Sequence, residues 1–170
     1  MTFPTRPAGP GVRLREIAPD DEPALQAVFA AAEDWFVALT GDHALPGDVQ
    51  SLFWSAPEGV SPADKVLLVV EHDGEVAGVV DLVPGHPEPG ACSVGLFLLA
   101  PAHRGRGVGT AAARSLLDLA GRRGISRVTV AVPAGWDASA TFLSGLGFTL
   151  GDPFTRGPAS MVRARLDLNS

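Results

Sequence analysis

The sequence predicts a mixed α/β fold: a mostly antiparallel sheet of about six or seven strands with about four helices. Three observations carry that prediction. The apolar run Val94 to Ala100, a Gly-rich turn, the small-residue run Thr110 to Leu119 and the returning run Arg127 to Val132 spell strand, helix and strand. A right-handed crossover makes those two strands parallel and lays the helix on one sheet face. Upstream, Lys65 to Glu71 and Val76 to Val83 are strand-like runs joined by His72-Asp73-Gly74-Glu75, a hairpin with Asp-Gly at its tip. At the two ends, Val12 to Ile17 and Ser160 to Leu168 alternate apolar and polar residues with the period of a half-buried strand.

The elements follow in order. Met1 to Gly11 is punctuated by prolines and lacks a continuous apolar core, which predicts a flexible tail over residues 1–11 ahead of a single domain over 12–170. After the first strand, Pro19-Asp20-Asp21 opens a helical pattern from Glu22 to about Leu39, with Leu25, Val28, Phe29, Ala32, Phe36 and Leu39 on one buried face. Gly41-Asp42 and Pro46-Gly47 break the chain before a short helix from Asp48 to Trp54. Pro84 to Gly90 is too proline-rich for a ladder and separates the hairpin from the strand Ala91 to Leu99. The long helix ends near Gly121 to Gly124, and Asp137 to Gly145 forms another.

Composition narrows the function classes. The chain has 170 residues, 46 % of them hydrophobic and 19 % charged, as expected of one globular core. A net charge of -6 argues against a nucleic acid as main partner, since phosphate backbones are bound by clustered Lys and Arg. No run reaches the roughly 18 to 20 apolar residues a bilayer needs, so no membrane partner is expected. The lone Cys92 excludes an internal disulfide, and a reducing, cytoplasmic setting is the expectation.

The chemistry concentrates in Arg104-Gly105-Arg106-Gly107-Val108-Gly109, the turn between strand and helix. Helix N-termini carry unpaired N–H donors and the positive end of the macrodipole, and glycines let the backbone approach an anion closely. A dinucleotide fingerprint starting at Gly105 would need glycine where Thr110 stands, and no acidic residue closes the strand ending Ala131-Val132-Pro133. A P-loop needs G-K-[ST], and the chain's one lysine, Lys65, lies far from the turn. The pattern [QR]-x-x-G-x-[GA] does fit, filled by Arg104, Gly107 and Gly109 and preceded by Pro101. This resembles the acetyl-CoA loop of the GNAT superfamily of N-acyltransferases. The segment Asp137 to Gly145 closed by Gly147-Phe148 resembles that family's second motif, N-x-x-A-x-x-x-Y-x-x-x-G-F, without its tyrosine. Counted back from Phe148, Leu143 takes the tyrosine position and Ser139 the alanine; with one deletion, Asp137 aligns with the Asn, Ala140 with the Ala and Ser144 with the Tyr. The resemblance runs from about Val12 to Leu168 and is concentrated between Val94 and Phe148.

What the resemblance implies is specific. The two parallel strands, fourth and fifth in the family's order, splay apart to admit the pantetheine arm of acetyl-CoA, the cosubstrate. Backbone amides of Arg104, Gly105, Arg106, Gly107, Val108 and Gly109 hold its diphosphate, and Asp137 or Ser139 bonds the pantetheine. Amides at Leu96, Phe97 and Leu98 receive the developing oxyanion. No metal is called for. The strand Ala91 to Leu99 offers no carboxylate, which leaves Asp81, His86 and Glu88 as candidate bases, with Asp81 preferred because an apolar strand desolvates it. With no tyrosine in the chain, water or Ser144 stands in as the acid. Cys92 reads as an inert small hydrophobe, and Trp35, Phe36, Phe53 and Trp54 as candidate walls of an acceptor pocket. The implied reaction is acetyl transfer to a primary amine by direct attack, and the alternative is a catalytically silent acyl-CoA-binding module. Small-molecule and peptide amines both remain open as acceptors, as do monomer and homodimer.

Overall fold

Alternation in Val12–Glu16 (β2) buries Val12 and Leu14 and exposes Arg13, so the strand covers one side of a core and pairs antiparallel with Val66–His72 (β3). The computed structural model describes residues 3–168, and in it this ladder grows into one eight-stranded sheet. Glu75–Pro84 (β4) returns from β3 through Asp73 and Gly74, both at positive φ (51° and 83°), as the two-residue turn predicted for Asp-Gly requires. Ala91–Leu99 (β5) pairs antiparallel with β4, and Arg127–Pro133 (β6) lies parallel to β5.

Two further strands extend the sheet beyond the expected number. Arg6–Gly9 (β1) pairs with β2, Arg6 opposite Leu14, and Phe3 is buried with its N–H donating to Glu16 Oε1 at 2.6 Å. The flexible tail expected over residues 1–11 is therefore corrected for its described part; Met1 and Thr2 lie outside the described residues. Pro7 is tolerated because β1 is the sheet edge, where a missing N–H leaves no ladder bond unmade. At the other edge, Thr149–Arg156 (β7) pairs with Ala159–Asp167 (β8), which inserts between it and β6. β7 is exposed along nearly all its length, so it carries no apolar alternation to announce it.

The opening helical pattern is two helices. Glu22–Ala31 (α1) and Glu33–Thr40 (α2) break at Ala32 (φ −90°, ψ 36°), where the Trp35 N–H bonds to the Ala32 carbonyl in a tightened turn. Asp48–Trp54 (α3), Val108–Arg122 (α4) and Asp137–Gly145 (α5) match the predicted segments. Side chains sort by strand parity: Val79 and Leu98 join the core under α1, α2 and α3, while Val80, Phe97 and Leu99 pack with Val108 and Ala112 of α4. The site is set by what happens between β5 and β6. Their parallel register runs from Ala91 with Arg127 to Val94 with Val130 and ends there, at a bulge in β5 where Gly95 is the extra residue between Val94 opposite Leu82 and Leu96 opposite Asp81 of β4. From Gly95 onward β5 keeps only its β4 neighbour, and a gap opens in the middle of the sheet.

Candidate active site

The gap leads to the turn before α4. Gly105 (φ 71°) and Gly107 (φ 79°) hold left-handed backbone that a side chain rarely adopts, and an added Cβ at either would meet open space. That combination leaves room for a ligand rather than for packing. Gly107 caps α4, whose first-turn N–H groups have no partner within the helix. Gly105, Gly107, Gly109 and Thr110 line a cleft of about 400 Å3 whose other walls are Asp34, Trp35, Phe97, Leu98, Leu99, Trp136, Ala138, Ser139 and Phe142. The turn supplies amides rather than side chains: Val108 is buried in the core and Arg106 is exposed. The Arg104 guanidinium is occupied, with Nε donating to the Leu99 carbonyl at 2.9 Å and Nη1 to Asp34 Oδ2 at 2.5 Å, and it stands 5.9 Å from the Trp136 ring. That pairing holds the Asp34 carboxyl below the usual carboxylate range.

The ladder decides which amides of β5 face the gap. The Ala100 N–H bonds to the Ala77 carbonyl at 2.8 Å, toward β4. Direction alternates along a strand, so the Leu98 N–H turns to β4 as well, while those of Phe97 and Leu99 turn into the gap. The Leu99 carbonyl, accepting from Arg104 on that side, agrees with this. Of the expected oxyanion donors Leu96, Phe97 and Leu98, the geometry singles out Phe97. A smaller hollow beside it is lined by Trp35, Gly95, Leu96, Val130, Val132, Ser139 and Phe142, so the gap continues past the cleft.

α5 separates the residues expected on it. Ser139 faces both hollows, whereas Asp137 and Ser144 are exposed and line neither. The acid role given to Ser144 is therefore corrected. At about 100° per residue, Phe142 and Leu143 share the face of Ser139, and Ser144 is turned well away from it. The alignment counted straight back from Phe148 is the one the helix obeys, and it puts the buried Leu143 in the tyrosine position with no hydroxyl to offer.

Asp81 lies inside β4 rather than at its end, buried, in register with Leu96. Its Oδ2 accepts from Lys65 Nζ at 2.8 Å, and its Oδ1 is buried with no hydrogen-bond partner. A Cβ on Gly95 would stand 3.3 Å from Asp81 Oδ2 and 3.8 Å from Oδ1, so the missing side chain there lets β5 pass close to the carboxylate. Burial pushes the Asp81 carboxyl up, partly offset by Lys65. Glu88 pairs instead with Arg127 at 2.5 Å, away from the gap. Burial pushes the Cys92 thiol up to about 11, so it stays protonated near neutral pH, in keeping with an inert core residue. Of the aromatic candidates, Trp35 lines both hollows, Phe36 is in the core, and Trp54 is 78 % exposed. Among the described residues no group of three His, Cys, Asp or Glu side chains could hold a metal ion, and no helix is long and apolar enough to cross a membrane.

The Acetyltransferase (GNAT) family model matches residues 25–148, which takes in the opening helices, the gap and both motif segments. The chain belongs to this family. A mycothiol acetyltransferase from Nocardia farcinica is 42 % identical over 79 residues, which is 39 % of this chain and 25 % of that protein, so the match spans a quarter of that relative. Among solved structures, an acetyl transferase from Salmonella typhimurium that modifies the N-terminal serine of a 50S ribosomal subunit protein superposes with a TM-score of 0.78 at 18 % identity, covering 98 % of this chain and all (100 %) of that one. A ribosomal alpha-N-protein acetyltransferase in complex with coenzyme A gives 0.76 at 17 % identity, with 97 % and 98 % covered. At those identities the likeness is one of fold.

Within a GNAT fold, the chain's departures are as informative as its matches. Lys65, Asp34, Trp136 and Phe142 were not singled out by sequence motifs, yet each meets the site. For Trp136 and Phe142 a signal existed: with Ser139 they are spaced by three along one helix face. For Lys65 and Asp34 there was none, because their partners Asp81 and Arg104 reach them only through tertiary pairing.

Proposed function

We propose that this GNAT protein is an N-acetyltransferase that moves the acetyl group of acetyl-CoA to a primary amine by direct attack. The observation that carries the reading is the continuity of the cleft at the start of α4 with the gap between β5 and β6, beside which Asp81 keeps an unpartnered buried oxygen. The residues fit the cosubstrate. First-turn amides and open positive-φ glycines suit a diphosphate, and the Phe97 N–H suits a thioester oxygen that gains charge in the transition state.

The chain's own groups then divide the work. An alkylammonium with a pKa near ~10 must lose a proton before it attacks, and Asp81 accepts it. The neutral nitrogen attacks the thioester carbon, and the Phe97 N–H holds the oxyanion. The C–S bond then breaks, and the sulfur leaves as a thiolate. With Leu143 where relatives carry tyrosine, no side-chain acid is assigned. The thiolate takes its proton from solvent, and a thiol pKa near ~8.5 makes it a tolerable leaving group. The acceptor is read no further than a primary amine.

A thiol-release assay with acetyl-CoA across a panel of amines tests the reading. Release that depends on one class of amine, with Asp81→Asn lowering kcat/KM by about 100-fold, is the expected result. Binding of acetyl-CoA without release for any amine would favour the silent acyl-CoA-binding module instead.

A further inference from the structure

The side chain of the chain's one lysine is buried behind Asp81. Its side chain is 3 % exposed, and its three N–H donors are all taken: by the Leu52 carbonyl at 2.6 Å, the Ser55 carbonyl at 2.5 Å and Asp81 Oδ2 at 2.8 Å. A lysine buried this fully is uncommon, because removing an ammonium from water costs several kcal/mol unless every donor is matched. Here two of the three bonds go to the C-terminal end of α3, where exposed carbonyls and the negative end of the helix favour a cation. The third goes to the carboxylate.

We propose that Lys65 is a positioning residue for acyl transfer: it bonds Asp81 Oδ2 and holds the carboxylate in place against Gly95, beside the gap. The proposal rests on the reading of Asp81 as the proton acceptor.

The geometry distinguishes this arrangement from a plain structural ion pair. In a purely structural pair both carboxylate oxygens find donors, whereas Asp81 Oδ1 is buried and unbonded. The carboxylate lies against Gly95, whose added Cβ would stand 3.3 Å from Oδ2 and 3.8 Å from Oδ1. Lys65 is the charged group that faces Asp81. The strands on either side place Leu67 and Leu96 at its register, and α3 and the residue after it contribute backbone carbonyls. The ammonium thus partly offsets the burial that favours the neutral carboxyl. Because the same nitrogen ties down the end of α3, it also couples the base to the helix beside it.

The test is the pH dependence of kcat/KM for the wild type, Lys65→Met and Lys65→Gln, with acetyl-CoA binding measured by calorimetry as a control on folding. The second variant keeps an amide donor for the carbonyls and reads the same quantity should the first fail to fold. Loss of the ammonium is expected to move the acidic limb of the profile up by about one to three pH units, with acetyl-CoA affinity unchanged. Lys65→Arg, which keeps charge and donors, is expected to return the limb toward the wild-type position. An unmoved limb in a folded, cofactor-binding variant would overturn the proposal, even if activity fell. Asp81→Asn separates the two claims. Full activity in that variant would remove the base reading itself, whereas an inactive Asp81→Asn beside an unmoved Lys65 limb would remove only the role of Lys65.

Discussion

Gly107 concentrates the argument at the scale of single residues. Its φ of 79° is strained for any side chain, and open space beyond it shows that the strain serves the turn rather than packing. Gly107→Val is expected to weaken coenzyme A binding by at least about 10-fold while costing roughly 1–2 kcal/mol of stability, both read from one set of calorimetric and thermal measurements. Gly95→Ala has the opposite profile. Its φ is ordinary, but the new methyl would stand 3.3 Å from the Asp81 carboxylate, so kcat/KM for the amine falls while cofactor affinity holds. This turn was legible in the sequence because glycine at a fixed spacing has a conformational meaning that no context overrides. Ser144 was not, because a one-residue choice of alignment rotates a helical side chain by about 100° and takes it out of the site.

At the scale of elements, the break between α1 and α2 turns Trp35 toward the cleft and sets Asp34 against Arg104. The hydrophobic pattern from Leu25 to Leu39 gave no sign of it, since both helices bury the same side and a single tightened turn at Ala32 leaves the periodicity intact. The Asp34 pair is partly exposed, so Asp34→Asn is expected to cost no more than about 1 kcal/mol of stability. Its effect belongs to binding. With the carboxylate neutralised, Arg104 faces the cleft uncompensated, and coenzyme A is expected to bind more tightly at low salt, a gain that high salt removes. Equal affinities at low salt would contradict this. The gap between β5 and β6 was foreseen only through family resemblance. The register stops at Val94, next to the bulge at Gly95, whose isolated glycine in an apolar strand was the one local sign of it.

Across the whole molecule, the strand and helix order was readable from alternation and periodicity, and the two extra strands were not. β1 has prolines where a strand signal is sought, and β7 has no buried face. Burial of Phe3 and the pairing of β1 fasten the start of the chain to the sheet. A second fastening lies close by, where Arg15 bonds both oxygens of Asp21 at 2.8 Å and Glu71 Oε1 at 2.6 Å. Arg15 is the leading cause holding Asp21 and Glu71 below their usual values. A carboxyl depressed in the folded state adds stability that is present above its unfolded value and lost as pH falls through its folded one. Denaturation midpoints are therefore expected to drop on acidification from pH 5 downward, and to drop less in Asp21→Asn, which has already lost its share. Asp81, raised in the folded state, has the opposite sign: its contribution is present at low pH and is lost as pH rises through its raised value.

The account's central claim is that the turn from Arg104 to Gly109 and the gap beyond it hold acetyl-CoA. Calorimetric titration of the full chain with acetyl-CoA, alongside Gly107→Val, tests it most directly. The account predicts a saturable isotherm with one site per chain that weakens by at least about 10-fold in the variant. An absence of binding, or equal affinity in the two proteins, would contradict it.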